Sequence, residues 1–170
     1  TWSEPSFIET KGMPFTDTEG PADAPVEMPD GSILMPVMGY NVRGDIKNQA
    51  AVLLKSTDQG KTWTHWSTIA EDPGNRLGHF QEPAIVLAKS GRLIAAMRND
   101  GPAKAIWTNY SDDQGKTWST PKESPMVGHP ADLIQLSDGR ILCTYGIRPG
   151  SHGDPGGIRA TFSTDNGMTW

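Results

Sequence analysis

Three segments of the chain share one pattern: an apolar run, a short polar break carrying glycine, and a second apolar run. They read PVEMPDGSILMPV, AIVLAKSGRLIAAM and DLIQLSDGRILCTY. The breaks are Asp30-Gly31, Ser90-Gly91 and Asp138-Gly139, and glycine accepts the positive φ that tight hairpin turns demand. Each segment therefore predicts two antiparallel strands. A third apolar stretch follows each hairpin, at 50–56, 105–111 and 157–163, and runs directly into a polar octet. Beyond the octet, THWSTIA at 64–70 and its counterparts give a more polar fourth strand. No segment shows helical periodicity.

The octets are STDQGKTW, SDDQGKTW and STDNGMTW, beginning at Ser56, Ser111 and Ser163, 55 and then 52 residues apart. A period near 50 residues marks stacked supersecondary units such as the blades of a β-propeller. The expected organisation is a single segment, 1–170, of three repeats near 1–63, 64–118 and 119–170, with Thr1-Trp2 reading as the tail of another copy. Within each octet, Asp58, Asp113 or Asp165 is placed to bond its own loop's amides, and Gly60, Gly115 or Gly167 to take the unusual backbone angles. Trp63, Trp118 and Trp170 would pack against the blade. The octet reads as a fastener between third and fourth strands. It lacks the later bidentate glutamate of a calcium loop, so no metal is expected there.

Composition alters this picture little. The 170 residues include 19 Gly and 14 Pro and are 35% hydrophobic, as expected of a turn-rich globular chain. No apolar run approaches the length of a membrane span and no targeting segment is read within the given residues, which leaves secreted, periplasmic and cytoplasmic locations open. A net charge of -5 argues against a nucleic-acid surface. The single cysteine, Cys143, lies in the apolar stretch ILCTY and reads as a buried structural thiol.

The repeated S-x-D-x-G-x-T-W resembles the Asp-box, or BNR repeat, of the sialidase superfamily. The resemblance implies an all-β propeller of four-stranded antiparallel blades, three of them here, about half of a six-bladed ring. Asp-boxes also occur in noncatalytic propellers, so the octet by itself does not establish an enzyme.

Candidate chemistry lies at the other end of the strands. If the second hairpin turns near residue 90, residues whose numbers sum to about 180 face each other, which makes Glu82 and Arg98 cross-strand neighbours roughly 25 Å from the hairpin tip. QEPAIVLAKSGRLIAAMRND resembles the sialidase segment in which a Glu opening one strand and an Arg ending the next lie at this separation. The resemblance implies that Arg98 clamps a sugar carboxylate and that Glu82 polarises a tyrosine nucleophile. Arginine's planar fork suits a carboxylate, and a neutral tyrosine can approach an anionic anomeric centre.

Further candidates sit at the same end. Arg148, nine residues past a turn glycine, reads as a second clamp arginine, and His129 would line the cleft beside it. Asp100 would either hold the Arg98 guanidinium or cap its loop. Arg159 falls inside a strand and reads as structural, Tyr145 as core. Arg43, Asp45 and Asp23 occupy corresponding places in the first repeat without matching a motif. No segment supplies the family's first clamp arginine, general-acid aspartate or nucleophilic tyrosine.

The resemblance implies, for a complete parent, an exo-acting sialidase that hydrolyses terminal α-linked sialic acid with retention, without metal or organic cofactor. A noncatalytic glycan- or protein-binding propeller, or a hydrolase of another acidic sugar, is the alternative. The expected partner is a sialylated or other acidic glycan. For the chain alone, a homodimer closing a six-bladed ring is expected, without turnover.

Overall fold

The computed structural model describes residues 2–9, 12–15, 17–21, 23–43, 46–74, 76–150 and 153–170. Among these residues twelve strands form three antiparallel sheets, with no strand shared between them. The first contains β1 (Asp17–Pro21), β2 (Val26–Glu27), β3 (Ile33–Arg43), β4 (Ile46–Ser56) and β5 (Thr64–Ala70), in the order β1-β3-β4-β5, with β2 also on β3. The second is β6 (Phe80–Leu87), β7 (Leu93–Asn99), β8 (Ala105–Ser111) and β9 (Lys122–Val127), in chain order. The third is β10 (Ala131–Gln135), β11 (Ile141–Ile147) and β12 (Gly157–Ser163).

The four-strand expectation thus describes the second sheet. In the first, the edge beside β3 is covered by two short strands, β1 and β2, with Asp23 between them. The third has three strands among the described residues. The first two sheets end at the strand that follows their octet, because that strand pairs back with the one before it, β5 with β4 and β9 with β8.

Burial reports how the sheets stack. Nearly every residue of β7 is buried, because both faces of the second sheet are covered. On one side Phe80, Leu93 and Met97 pack against Leu34, Leu53 and Ile69 of the first sheet. On the other, Ile94, Ile106 and Met126 pack against Leu133, Ile141 and Cys143 of the third. Strand β10, by contrast, alternates: Ala131 and Leu133 point inward while Asp132 and Ile134 are exposed. With Ile158 and Phe162, Ile134 leaves the outer face of the third sheet partly apolar. Burial pushes the Cys143 thiol up to about 12, which suits an inert core residue.

Candidate functional site at the blade end opposite the octets

The two ends of the second sheet follow from its register. Leu93 pairs with Ser111 and Arg98 with Ile106, so the octet sits beside the β6–β7 turn and Arg98 lies about 17 Å away along the strand. Arg92, next to that turn, pairs with Asp112 at 2.7 Å and confirms the octet end.

The octets are built alike. In the second, Ser111 donates its hydroxyl to Asp113 at 2.7 Å and accepts the Gly115 N–H at 2.8 Å, while Asp113 accepts the Thr117 N–H at 2.9 Å and the Thr117 hydroxyl at 2.7 Å. These donors hold the Asp58, Asp113 and Asp165 carboxyls down to about 2, led by the Thr62 hydroxyl, the Thr117 N–H and the Thr169 hydroxyl respectively. The residue before each glycine is also left-handed: Gln59, Gln114 and Asn166 have φ of 61°, 62° and 54°. The loop is more than a local fastener. Trp66 donates its indole N–H to the Gln114 carbonyl at 3.1 Å, so the second octet docks on the first sheet. Trp118 packs into that same inter-sheet core, Trp170 packs between the second and third sheets, and Trp63 bonds the Gly60 carbonyl of its own loop at 3.0 Å.

At the opposite end, Arg98 Nη1 lies 2.9 Å from Glu82 Oε1. The two side chains meet, but not by the expected pairing. Partners sum to 180 from Leu87–Leu93 to Ala84–Ala96 and to 179 at Gln81–Arg98, so Gln81 faces Arg98. The shift is a β-bulge at Glu82-Pro83, where Glu82 has φ +45°. Proline cannot donate to the ladder, and the extra residue re-aims Glu82. A non-glycine residue held at positive φ is strained, and such strain concentrates at functional positions. Glu82 Oε2 is buried and has no hydrogen-bond partner among the described residues.

Arg98, Asp100, Lys104, His129 and Arg148 line one cavity of about 410 Å³, between the second and third sheets. Four of these five were legible in the sequence. The fifth, Lys104, is not: it gives its ammonium to the Asp100 carbonyl at 2.8 Å and sits at φ +51°, on a turn whose return over Arg98 no local pattern announces. Asp100, besides lining the cavity, accepts the His79 N–H from the loop before β6 at 2.8 Å. His129 is positioned by Gly128. A Cβ on Gly128, at φ +144°, would lie 2.2 Å from the Gly146 carbonyl oxygen, so only glycine lets the chain pass there. The His129 N–H then bonds that carbonyl at 2.7 Å, and the ring Nδ1 stands 3.9 Å from Glu82 Oε2.

The remaining candidates lie elsewhere. Arg159 binds both oxygens of Asp154, at 2.8 and 2.9 Å, and Tyr145 packs against the second core, both as expected of structural residues. Asp23 accepts the Ile85 N–H at 3.2 Å, and burial raises its pKa, with Asp132 acting in the same direction. The Arg43 side chain and Asp45 lie outside the described residues. Among the described residues no three or more His, Cys, Asp or Glu converge as a metal site, and no helix is long and apolar enough to cross a membrane.

The fold has counterparts among known proteins. The family described as BNR repeat-like domain matches residues 1–170. The chain belongs to that family. A sialidase of Paraclostridium sordellii is 25% identical over 144 residues, covering 83% of this chain and 33% of the sialidase. A protein of unknown function from Dyadobacter fermentans superposes with a TM-score of 0.84 at 26% identity, over 99% of this chain and 47% of that one. An α-L-arabinanase of Penicillium chrysogenum superposes with a TM-score of 0.65 at 17% identity, over 91% of this chain and 51% of the arabinanase. The BNR chain therefore has the sialidase-superfamily fold and spans about a third of the sialidase and half of each solved structure.

Proposed function

We propose that this chain supplies part of the active-site face of a sialidase-like glycoside hydrolase, which in the complete protein cleaves a terminal α-linked sialic acid with retention. The observation that carries the reading is the gathering of Arg98, Lys104 and Arg148 around one cavity, with Glu82 held against Arg98. A cavity of about 410 Å³ has the volume of a small-ligand site, and its cations suit a sugar carboxylate. Arg98 would clamp that carboxylate. Glu82 would accept the hydroxyl proton of a tyrosine supplied by a further blade, which makes the phenol a better nucleophile. The other acidic-sugar reading uses the same cations and is separated by substrate choice alone. Two copies of the chain, covering the exposed Ile134, Ile158 and Phe162, are the proposed assembly of the 170-residue segment, tested by its mass in solution.

The test is turnover of a fluorogenic α-sialoside by a longer parent protein, beside its Arg98→Ala variant. The expected result is hydrolysis that falls on the order of 10²-fold in kcat/KM with the substitution. Activity on a uronide but not on the sialoside would transfer the reading to another acidic sugar. Binding of sialosides without hydrolysis would favour a noncatalytic propeller.

A further inference from the structure

We propose that His129 is a positioning residue whose imidazole takes up a proton from solvent when an anionic sugar fills the cavity, and then closes on the free oxygen of Glu82. The inference rests on the acidic-sugar reading of the cavity and adds a coupling between ligand and proton.

Three observations converge on it. Arg98 engages Oε1 of Glu82, at 2.9 Å, and Oε2 is buried with no hydrogen-bond partner among the described residues. A buried carboxylate oxygen without a donor is costly, so a donor within reach is expected to be drawn to it. The His129 Nδ1, 3.9 Å from Oε2, is the near candidate, too far for a hydrogen bond yet close enough for one side-chain adjustment to make it. Finally, the backbone of His129 is pinned to Gly146 at 2.7 Å, which confines any adjustment to the ring.

What opposes closure is the charge of the empty cavity. Burial holds His129 below the ordinary histidine range, and Arg98 on β7, Arg148 after β11 and Lys104 between β7 and β8 push in the same direction. Glu82, from β6, alone among these charged groups favours the imidazolium. An anion in the cavity offsets the three cations while leaving Glu82 in place, so His129 becomes easier to protonate. Glu82 Oε2 has two acceptor sites, so an imidazolium on one leaves the other for a reacting hydroxyl. The carboxylate is then braced from both sides, by Arg98 and by His129, and no covalent bond changes except the new imidazole N–H.

The linkage has a definite sign. The pKa of His129 is higher with ligand than without, so binding takes up protons between the two values, and affinity falls as pH rises through that window. For one linked proton the steepest fall is about tenfold per pH unit.

Two measurements on the full 170-residue chain test the proposal. In the ligand-free chain, NMR titration of His129 should show a lower pKa in Glu82→Gln than in the unsubstituted chain, since the group favouring the imidazolium is gone; an unchanged pKa overturns the proposal. Calorimetric titration with N-acetylneuraminate in buffers of different ionisation enthalpy should show proton uptake near neutral pH that vanishes in His129→Asn. Binding without uptake overturns this inference and leaves the acidic-sugar reading standing. No binding of N-acetylneuraminate or glucuronate at any pH removes that reading, and this inference with it.

Discussion

Ser67, on the last strand of the first sheet, gives its hydroxyl proton to the Gly115 carbonyl at 2.5 Å and accepts the indole N–H of Trp118 at 3.1 Å. One buried hydroxyl thereby joins β5 to both the glycine and the tryptophan of the second octet. Neighbouring sheets are locked by a polar contact as well as by the apolar core between them. Ser67→Ala should destabilise the chain by about 1–3 kcal/mol, because it leaves a buried carbonyl and indole N–H unsatisfied. Urea unfolding measures the effect. A change of less than a few tenths of a kcal/mol would mean that the octet does not bear on the inter-sheet contact.

The octet glycine allows a controlled test of packing. In Gly115, at φ +78°, a Cβ would meet Leu53 Cδ2 at 2.6 Å and Leu93 Cδ1 at 3.2 Å, both fully buried side chains. Gly31 has nearly the same φ, +79°, with nothing within 4 Å. Gly31→Ala should therefore cost only the left-handed backbone penalty, about 1–2 kcal/mol. Gly115→Ala should cost that and about 1–3 kcal/mol more from overpacking. Equal losses in the two variants would show that the loop can back away from the first sheet.

Much of the architecture was legible because it is local. The strands at 64–70, 105–111 and 157–163 fall where apolar runs meet the octets, since β pairing there needs only a hairpin and an alternating neighbour. The cavity residues Arg98, His129 and Arg148 were reachable by counting from turns. Counting failed at Glu82-Pro83, where the bulge shifts the register by one residue; the proline was the available signal. Ser67 and Lys104 were beyond a pattern reading. The Ser67 partner lies 48 residues away in another sheet, and Lys104 reaches the site through the path of its turn.

Acid should loosen the octets. Asp58, Asp113 and Asp165 have folded-state pKa values of about 2, below the unfolded value of about 3.9. A depressed carboxyl pKa contributes stability that is present above the unfolded value and lost as pH falls through it toward 2. The melting temperature should therefore drop between pH 5 and pH 2. Asp113→Asn should lower it at pH 7 and reduce the drop, since one of the three protonation events is absent. A drop of the same size in the variant would place the acid sensitivity outside the octets.

Glu82→Gln separates chemistry from folding at the bulge. Glutamine keeps the shape and the positive-φ backbone of Glu82, retains an oxygen for Arg98, and removes the charge. If Glu82 serves only to hold Arg98, the loss should appear mainly as weaker binding, because the guanidinium would still stand near its place. If Oε2 accepts the proton of a nucleophile, the amide can no longer do so, and turnover should fall on the order of 10²-fold or more. The ion pair is partly solvated, with 27% and 22% of the Arg98 and Glu82 side chains exposed, so the thermal stability of a longer parent protein should change by no more than about 1 kcal/mol. Steady-state kinetics on a fluorogenic sialoside, run beside a thermal melt, decides between the two. A raised KM with unchanged kcat would make Glu82 a strut for Arg98, whereas a collapsed kcat at unchanged KM and melting temperature would place its free oxygen in the reaction itself.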